Sequence, residues 1–159
     1  MKRIEISLAR QHLRLYEGAT LLREYAVSTA AKGAGEKNGS QCTPRGRHQI
    51  RALIGHGAAS GAIFVSRRPT GEIYTPELAA RYPHRDWILS RILWLSGLEL
   101  GRNRLRDVDT MRRYIYIHGT PDETRLGAPG SHGCVRMRKT DVIELFELVP
   151  AGTEVNIKE

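Results

Sequence analysis

The chain has 159 residues, 40% of them hydrophobic, enough for the core of one domain of ordinary size spanning 1–159. Its 25 basic side chains against 17 acidic ones leave a net charge of +8, which raises the question of a nucleic-acid partner. The basic residues are dispersed, only 6% of the chain is aromatic, and no helix-turn-helix, zinc-finger or RNA-recognition signature appears, so no nucleic-acid partner is expected. No run approaches the roughly 20 apolar residues of a membrane span, so no membrane insertion is expected either.

In chain order, Ile4-Glu5-Ile6-Ser7-Leu8 alternates apolar and polar side chains, and Leu13-Arg14-Leu15 repeats the pattern, so both read as strands. Lys32-Gly33-Ala34-Gly35-Glu36-Lys37-Asn38-Gly39-Ser40 reads as a flexible loop, and a further strand is expected from His48 to Ile54. Arg67-Arg68 and Arg102-Asn103-Arg104-Leu105-Arg106 read as solvated faces. Asp86 to Leu100, with Trp87, Ile88, Leu89, Ile92, Leu93, Trp94 and Leu95, predicts a partly buried helix. A second helix, capped by Thr140 or Asp141, runs through Ile143, Leu145, Phe146 and Leu148 to a stop at Pro150. Ala151-Gly152 then turns the chain into a closing strand, Thr153 to Ile157. The whole predicts a mainly β domain with short helices.

The chemistry concentrates between Tyr114 and Met137. Tyr114-Ile115-Tyr116-Ile117-His118 is a strand-type run in which period two puts Tyr114, Tyr116 and His118 on one face and Ile115 and Ile117 on the other. It sets a base at the end of a strand. Twelve residues, Gly119 to Gly130, follow; with Pro121, Gly127, Pro129 and Gly130 they form a loop able to bring His118 back to Ser131-His132-Gly133-Cys134. A thiol is a few per cent ionised near neutral pH and needs a neighbouring base or cation, so Cys134 is the candidate nucleophile and His118 its base. The Gly133 and Cys134 amides are the expected oxyanion donors. His118, His132 and Cys134 are also all metal-ligand types, but neither a Cys-x-x-Cys nor a His-x-x-x-His pair occurs and His12, His48, His56 and His84 are scattered, so no metal and no cofactor are expected. Cys42 reads as structural.

The paired motif His118-Gly119-Thr120 and Ser131-His132-Gly133-Cys134-Val135-Arg136-Met137 resembles the L,D-transpeptidase catalytic domain of the YkuD type. Gln11 to Tyr16 and Tyr25 to Thr29 resemble that family's first two strands, and Thr43-Pro44-Arg45-Gly46 its Thr-Pro-x-Gly turn; the likeness weakens between about Gly57 and Arg112, where specificity elements are expected. The resemblance implies a β-sandwich or barrel-like fold and a cysteine acyl-transfer enzyme acting on peptidoglycan stem peptides or muropeptides. It implies that Cys134 attacks the carbonyl of the third-position diamino acid, that D-alanine leaves, and that the thioester passes to an amine or to water. His118 is implied as base and then acid, oriented by the Gly119 carbonyl. The resemblance also implies that Ser131, His132 and Arg136 complete the site, with Tyr116 beside them and Arg136 as a carboxylate anchor or a structural ion-pair partner. Acylation of Cys134 by carbapenems is likewise implied.

Met1-Lys2-Arg3 leads into a strand with no apolar leader segment, which sets the expectation of a cytoplasmic protein, or of a periplasmic one if the chain was trimmed. In the cytoplasm, hydrolysis of released muropeptides makes more sense than cross-linking, so an L,D-carboxypeptidase is the favoured activity and an L,D-transpeptidase the alternative. A noncatalytic wall-binding module is a third class, against which the Cys134 and His118 pair argues.

Overall fold

The alternating N-terminal segments form β1 (Lys2–Ser7) and β2 (His12–Glu17), an antiparallel pair that continues into β3 (Thr20–Ser28). The computed structural model describes all residues, Met1–Glu159. Next come β4 (Gly46–Ile54), the hairpin of β5 (Ala62–Val65) and β6 (Arg68–Ile73), a short helix α1 (Pro76–Arg81), and β7 (Ile88–Gly97). The chain closes with β8 (Tyr116–Thr120), β9 (Val135–Arg138), α2 (Lys139–Leu148) and β10 (Glu154–Lys158).

The sheet order is β4-β10-β1-β2-β3-β9-β8-β7-β5-β6, and β4 also pairs with β7. That extra pairing joins the ends of the run from β4 to β7 and closes it into a barrel, with the β5–β6 hairpin appended outside the ring. The expectation of a mainly β, barrel-like fold with short helices therefore holds. Closure also removes the exposed edges that a long sheet would otherwise present. The core inside gathers Ile4, Ile6, Leu13, Leu15, Leu93, Leu95, Ile117, Val135 and Ile157, and α2 adds Val142, Leu145 and Phe146. No helix is long and apolar enough to cross a membrane.

The helix expected over Asp86 to Leu100 is instead β7, a strand that pairs with β4, β5 and β8. A central strand covered on both faces carries an almost continuous apolar run, so the alternation that marks a strand disappears and length does not separate it from a short buried helix. Leu89, Ile92, Leu93 and Leu95 are completely buried, so these residues do pack the interior, in a different backbone. The second helix lies where expected, but neither Thr140 nor Asp141 caps it: Arg138 occupies the cap position without a side-chain hydrogen bond, and Asp141 pairs with Arg138 at 3.5 Å.

Residues of the loop read as flexible are tied down from both ends. Thr43 accepts a hydrogen bond from Ala30 N and donates through Oγ1 to Gly133 O at 2.8 Å, while Thr43 N donates to Gly33 O. The Thr-Pro-x-Gly turn thus clamps the turn that carries Cys134. At its end His48, fully buried, donates Nδ1–H to Gly46 O, and its Nε2 meets Thr110 Oγ1, each at 3.0 Å.

Burial pushes the His48 imidazole down from 6.5 to about 4, chiefly by desolvating its charged form. The unfolded chain therefore takes up this proton first as pH falls, so the stability it confers is complete above about 6.5 and is lost between 6.5 and 4. The loss expected is roughly 3 kcal/mol. Urea unfolding at pH 7 and pH 4 measures it, and a His48→Gln protein should show a smaller drop; an equal drop in both would contradict the assignment.

Candidate active site

Strands β8 and β9 run parallel, pairing Ile117 with Val135 and His118 with Arg136. Ile117, Val135 and Met137 point into the main core, so the alternate residues Tyr116, His118, Cys134 and Arg136 share the opposite face. The four line one cleft of about 400 Å3, together with Ser131 and His132. The expected alternation holds for Ile115 to His118 but fails at Tyr114, which has φ +57, is half exposed and leaves the ladder. His118 is the middle residue of its strand, not the end.

His118 is fully buried, and its Nδ1 lies 2.7 Å from Gly119 O. A carbonyl only accepts, so Nδ1 carries the proton and Nε2 keeps its lone pair. That Nε2 has no partner. Burial is the main reason the imidazole titrates below its usual 6.5; Asp86 opposes the shift and Arg136 adds to it.

Cys134 is half-buried and bonded to backbone, not to His118: Tyr116 N–H donates to Sγ at 3.3 Å and Sγ–H donates to Tyr114 O at 3.4 Å. Burial pushes the thiol up to about 12, with Asp86 adding to the shift while Tyr116 N–H, Arg136 and Arg113 oppose it. The resting pair is therefore a neutral thiol and a neutral imidazole. Of the two expected oxyanion donors, Gly133 N–H is already given to Ser131 Oγ at 3.2 Å. The Cys134 amide has no internal acceptor among the protein's hydrogen bonds.

Ser131 is buried and donates Oγ–H to Cys134 O at 2.6 Å, so it braces the turn. His132 is exposed at the rim. Arg136 donates to Gly130 O at 3.1 Å and reaches Asp86 at 3.4 Å, so its fork is already half engaged. Tyr116 is buried, its hydroxyl accepting from Arg67 at 3.0 Å. Cys42 lies behind the turn, with its carbonyl oxygen 3.2 Å from where a Gly133 Cβ would stand.

Three cleft residues escape a reading of the sequence. Arg67 sits at the tip of the β5–β6 hairpin, where Ser66 and Arg67 have φ +49 and +63; it packs over the Trp94 and Tyr114 rings rather than lying in solvent. A two-residue hairpin turn requires positive φ, normally signalled by Asn-Gly, and Ser-Arg carries no such signal. Arg113 donates to Cys42 O at 2.7 Å and to the Gly35 and Glu36 carbonyls, pinning that loop beside the cleft. Asp86 has no motif around it at all.

The profile of the L,D-transpeptidase catalytic domain, YkuD, matches residues 1–157. The chain belongs to that family. It is 46% identical over 46 residues to the YkuD protein of Bacillus subtilis, a stretch that is 29% of this chain and 28% of that protein. An L,D-transpeptidase-type protein encoded in the ATP synthase region of Fuscovulum blasticum is 32% identical over 104 residues, 61% of this chain and 49% of its own. The matches therefore span half or less of these relatives' lengths. Among solved structures, L,D-transpeptidase 3 from Mycobacterium tuberculosis with a faropenem-derived adduct superposes with a TM-score of 0.60 at 14% identity, over 99% of this chain and 60% of that one. The L,D-transpeptidase from Xylanimonas cellulosilytica gives 0.56 at 20% identity, over 98% and 59%. At such identities the likeness establishes the fold.

Within this L,D-transpeptidase-family site Gly119 has a steric reason to be glycine. A Cβ there would stand 2.6 Å from Leu89 O and 2.9 Å from Ser90 Oγ, against a bulge in β7 where Ser90 has φ +75. Gly119→Ala should lower stability by about 1–3 kcal/mol and displace the carbonyl that orients His118. Thermal unfolding and turnover, measured together, check this; a variant with wild-type values of both would contradict it.

Proposed function

We propose that this domain is a cysteine acyl-transfer enzyme that cleaves the L,D bond of peptidoglycan stem peptides, with water as acceptor. The observation that carries the reading is the unpartnered Nε2 lone pair of His118 in the same cleft as the Cys134 thiol. The thiol leaves the Tyr114 carbonyl, Sγ bonds to the carbonyl carbon of the third-position residue, and its proton passes to Nε2. The oxyanion is met by the Cys134 amide and by Tyr116 N–H, which already points at the sulfur. The C–N bond then breaks, Nε2–H protonates the departing D-alanine amine, and a thioester remains. Water, deprotonated by Nε2, releases the tripeptide acid and restores the thiol. Arg136 is the group that would take the D-alanine carboxylate, exchanging its weak contact with Asp86 for a bidentate one.

Hydrolysis needs only a water beside the unpartnered His118 Nε2, whereas transfer needs a second peptide amine seated at the thioester, and this simpler requirement is why water is the acceptor proposed. Incubating the protein with a tetrapeptide muropeptide, with and without excess D-amino acid, tests the choice. Tripeptide and free D-alanine should dominate in both; exchanged or cross-linked products would make the amine the acceptor. Acylation of the same sulfur by a carbapenem should add the drug's mass to the wild-type protein and nothing to Cys134→Ala, as mass spectrometry reads directly.

A further inference from the structure

A second cleft, of about 530 Å3, adjoins the catalytic one, and Tyr114 walls both. Trp94 of β7 lines it, its ring fixed by an indole N–H donated to Met111 O at 3.1 Å. Around it stand Arg51 on β4 and Arg104 and Arg112 between β7 and β8, all exposed. None of the three has a carboxylate partner, whereas the neighbouring Arg102 is paired with Glu99. The only carboxylate lining the cleft, Asp109, is buried and spends its oxygens on the backbone, accepting from Leu105 N at 2.5 Å and from Arg112 N at 2.9 Å. Three guanidinium charges against one carboxylate leave the cleft at +2.

Arg67 continues this cationic line toward the nucleophile, its guanidinium 4.6 Å from the Tyr114 ring centre and 5.0 Å from that of Trp94. One residue separates the clefts, since the Tyr114 carbonyl is the acceptor of the Cys134 thiol. Guanidinium groups held together without counter-charges favour an oxyanion, which their planar forks bind bidentately.

We propose that this second cleft binds an oxyanion group, carboxylate or phosphate, carried by the part of the donor that extends past Tyr114 from the bond at Cys134. The inference rests on the function proposed above for its link to the donor, but anion binding itself does not require catalysis. Inorganic pyrophosphate and citrate, titrated calorimetrically into the protein at low salt, test it. A saturable site is expected that weakens as salt rises, weakens several-fold in Arg104→Gln and at least tenfold in Arg51→Gln/Arg104→Gln/Arg112→Gln, and persists in Cys134→Ala. Tighter pyrophosphate assigns the group as phosphate, tighter citrate as carboxylate. No saturable binding at millimolar concentrations, or equal affinity in wild type and the arginine variants, overturns the proposal. Against a muropeptide donor the triple variant should raise KM with kcat kept, because an interaction remote from the reacting bond contributes equally to ground and transition states.

Discussion

Replacing Cys134 by alanine is expected to lower turnover by about a thousandfold or more, because it removes the one thiol that lines the cleft and the hydroxyl groups left there are far weaker nucleophiles. The fold should survive the change. Cys134 lies in the turn just before β9 and faces the cleft, away from the main core, and its sulfur makes only two weak hydrogen bonds, to Tyr114 O and Tyr116 N. The stability cost should therefore stay near about 1 kcal/mol. Turnover and urea unfolding of the same preparation give both numbers, and retained turnover in a folded Cys134→Ala protein would remove the nucleophile from the account. Because burial pushes the thiol up to about 12, alkylation of Cys134 in the free protein should keep accelerating with pH beyond 9. A plateau below pH 8 would reveal a preformed thiolate–imidazolium pair instead.

His118→Gln should cost about a hundredfold to ten-thousandfold in kcat, the range set by losing a positioned base. Its effect on the pH profile is more specific than its effect on rate. Burial keeps the wild-type imidazole neutral below its usual 6.5, and only the neutral form accepts the thiol proton. Activity should therefore be level through neutrality and fall on the acid side with a midpoint below about 6.5. No basic limb from the thiol should enter below pH 10, since that group ionises near 12. The variant should lack the acid limb altogether. A wild-type midpoint at or above 7, or an unchanged limb in His118→Gln, would assign the titration to another group.

The legible parts of this protein are those in which local pattern and tertiary role coincide. β1, β2, β4 and β10 alternate because one face of each meets the barrel core, and α2 shows its apolar stripe for the same reason. β7 is illegible because its burial on both sides erases the period of two. Barrel closure through β4 and β7 pairs residues that lie from 38 (Ile54 with Ile92) to 49 (His48 with Gly97) positions apart in the chain, and nothing local to either strand announces it. In the site, the Gly-flanked turn and the long Gly- and Pro-rich loop are enough to bring His118 and Cys134 into one cleft. What the thiol bonds to is not readable there, because it depends on Tyr114 leaving the ladder at φ +57. Arg67, Asp86 and Arg113 are hidden for a related reason: each arrives from a loop or hairpin tip whose placement follows from the closed sheet.

The most direct test of the central claim is intact-protein mass spectrometry of the wild-type chain quenched in acid within the first turnover on a tetrapeptide muropeptide. The account predicts an adduct of donor minus D-alanine that maps to Cys134, is absent from Cys134→Ala, and appears together with free D-alanine. Release of D-alanine by Cys134→Ala at the wild-type rate, or an adduct mapping to a residue other than Cys134, would contradict it.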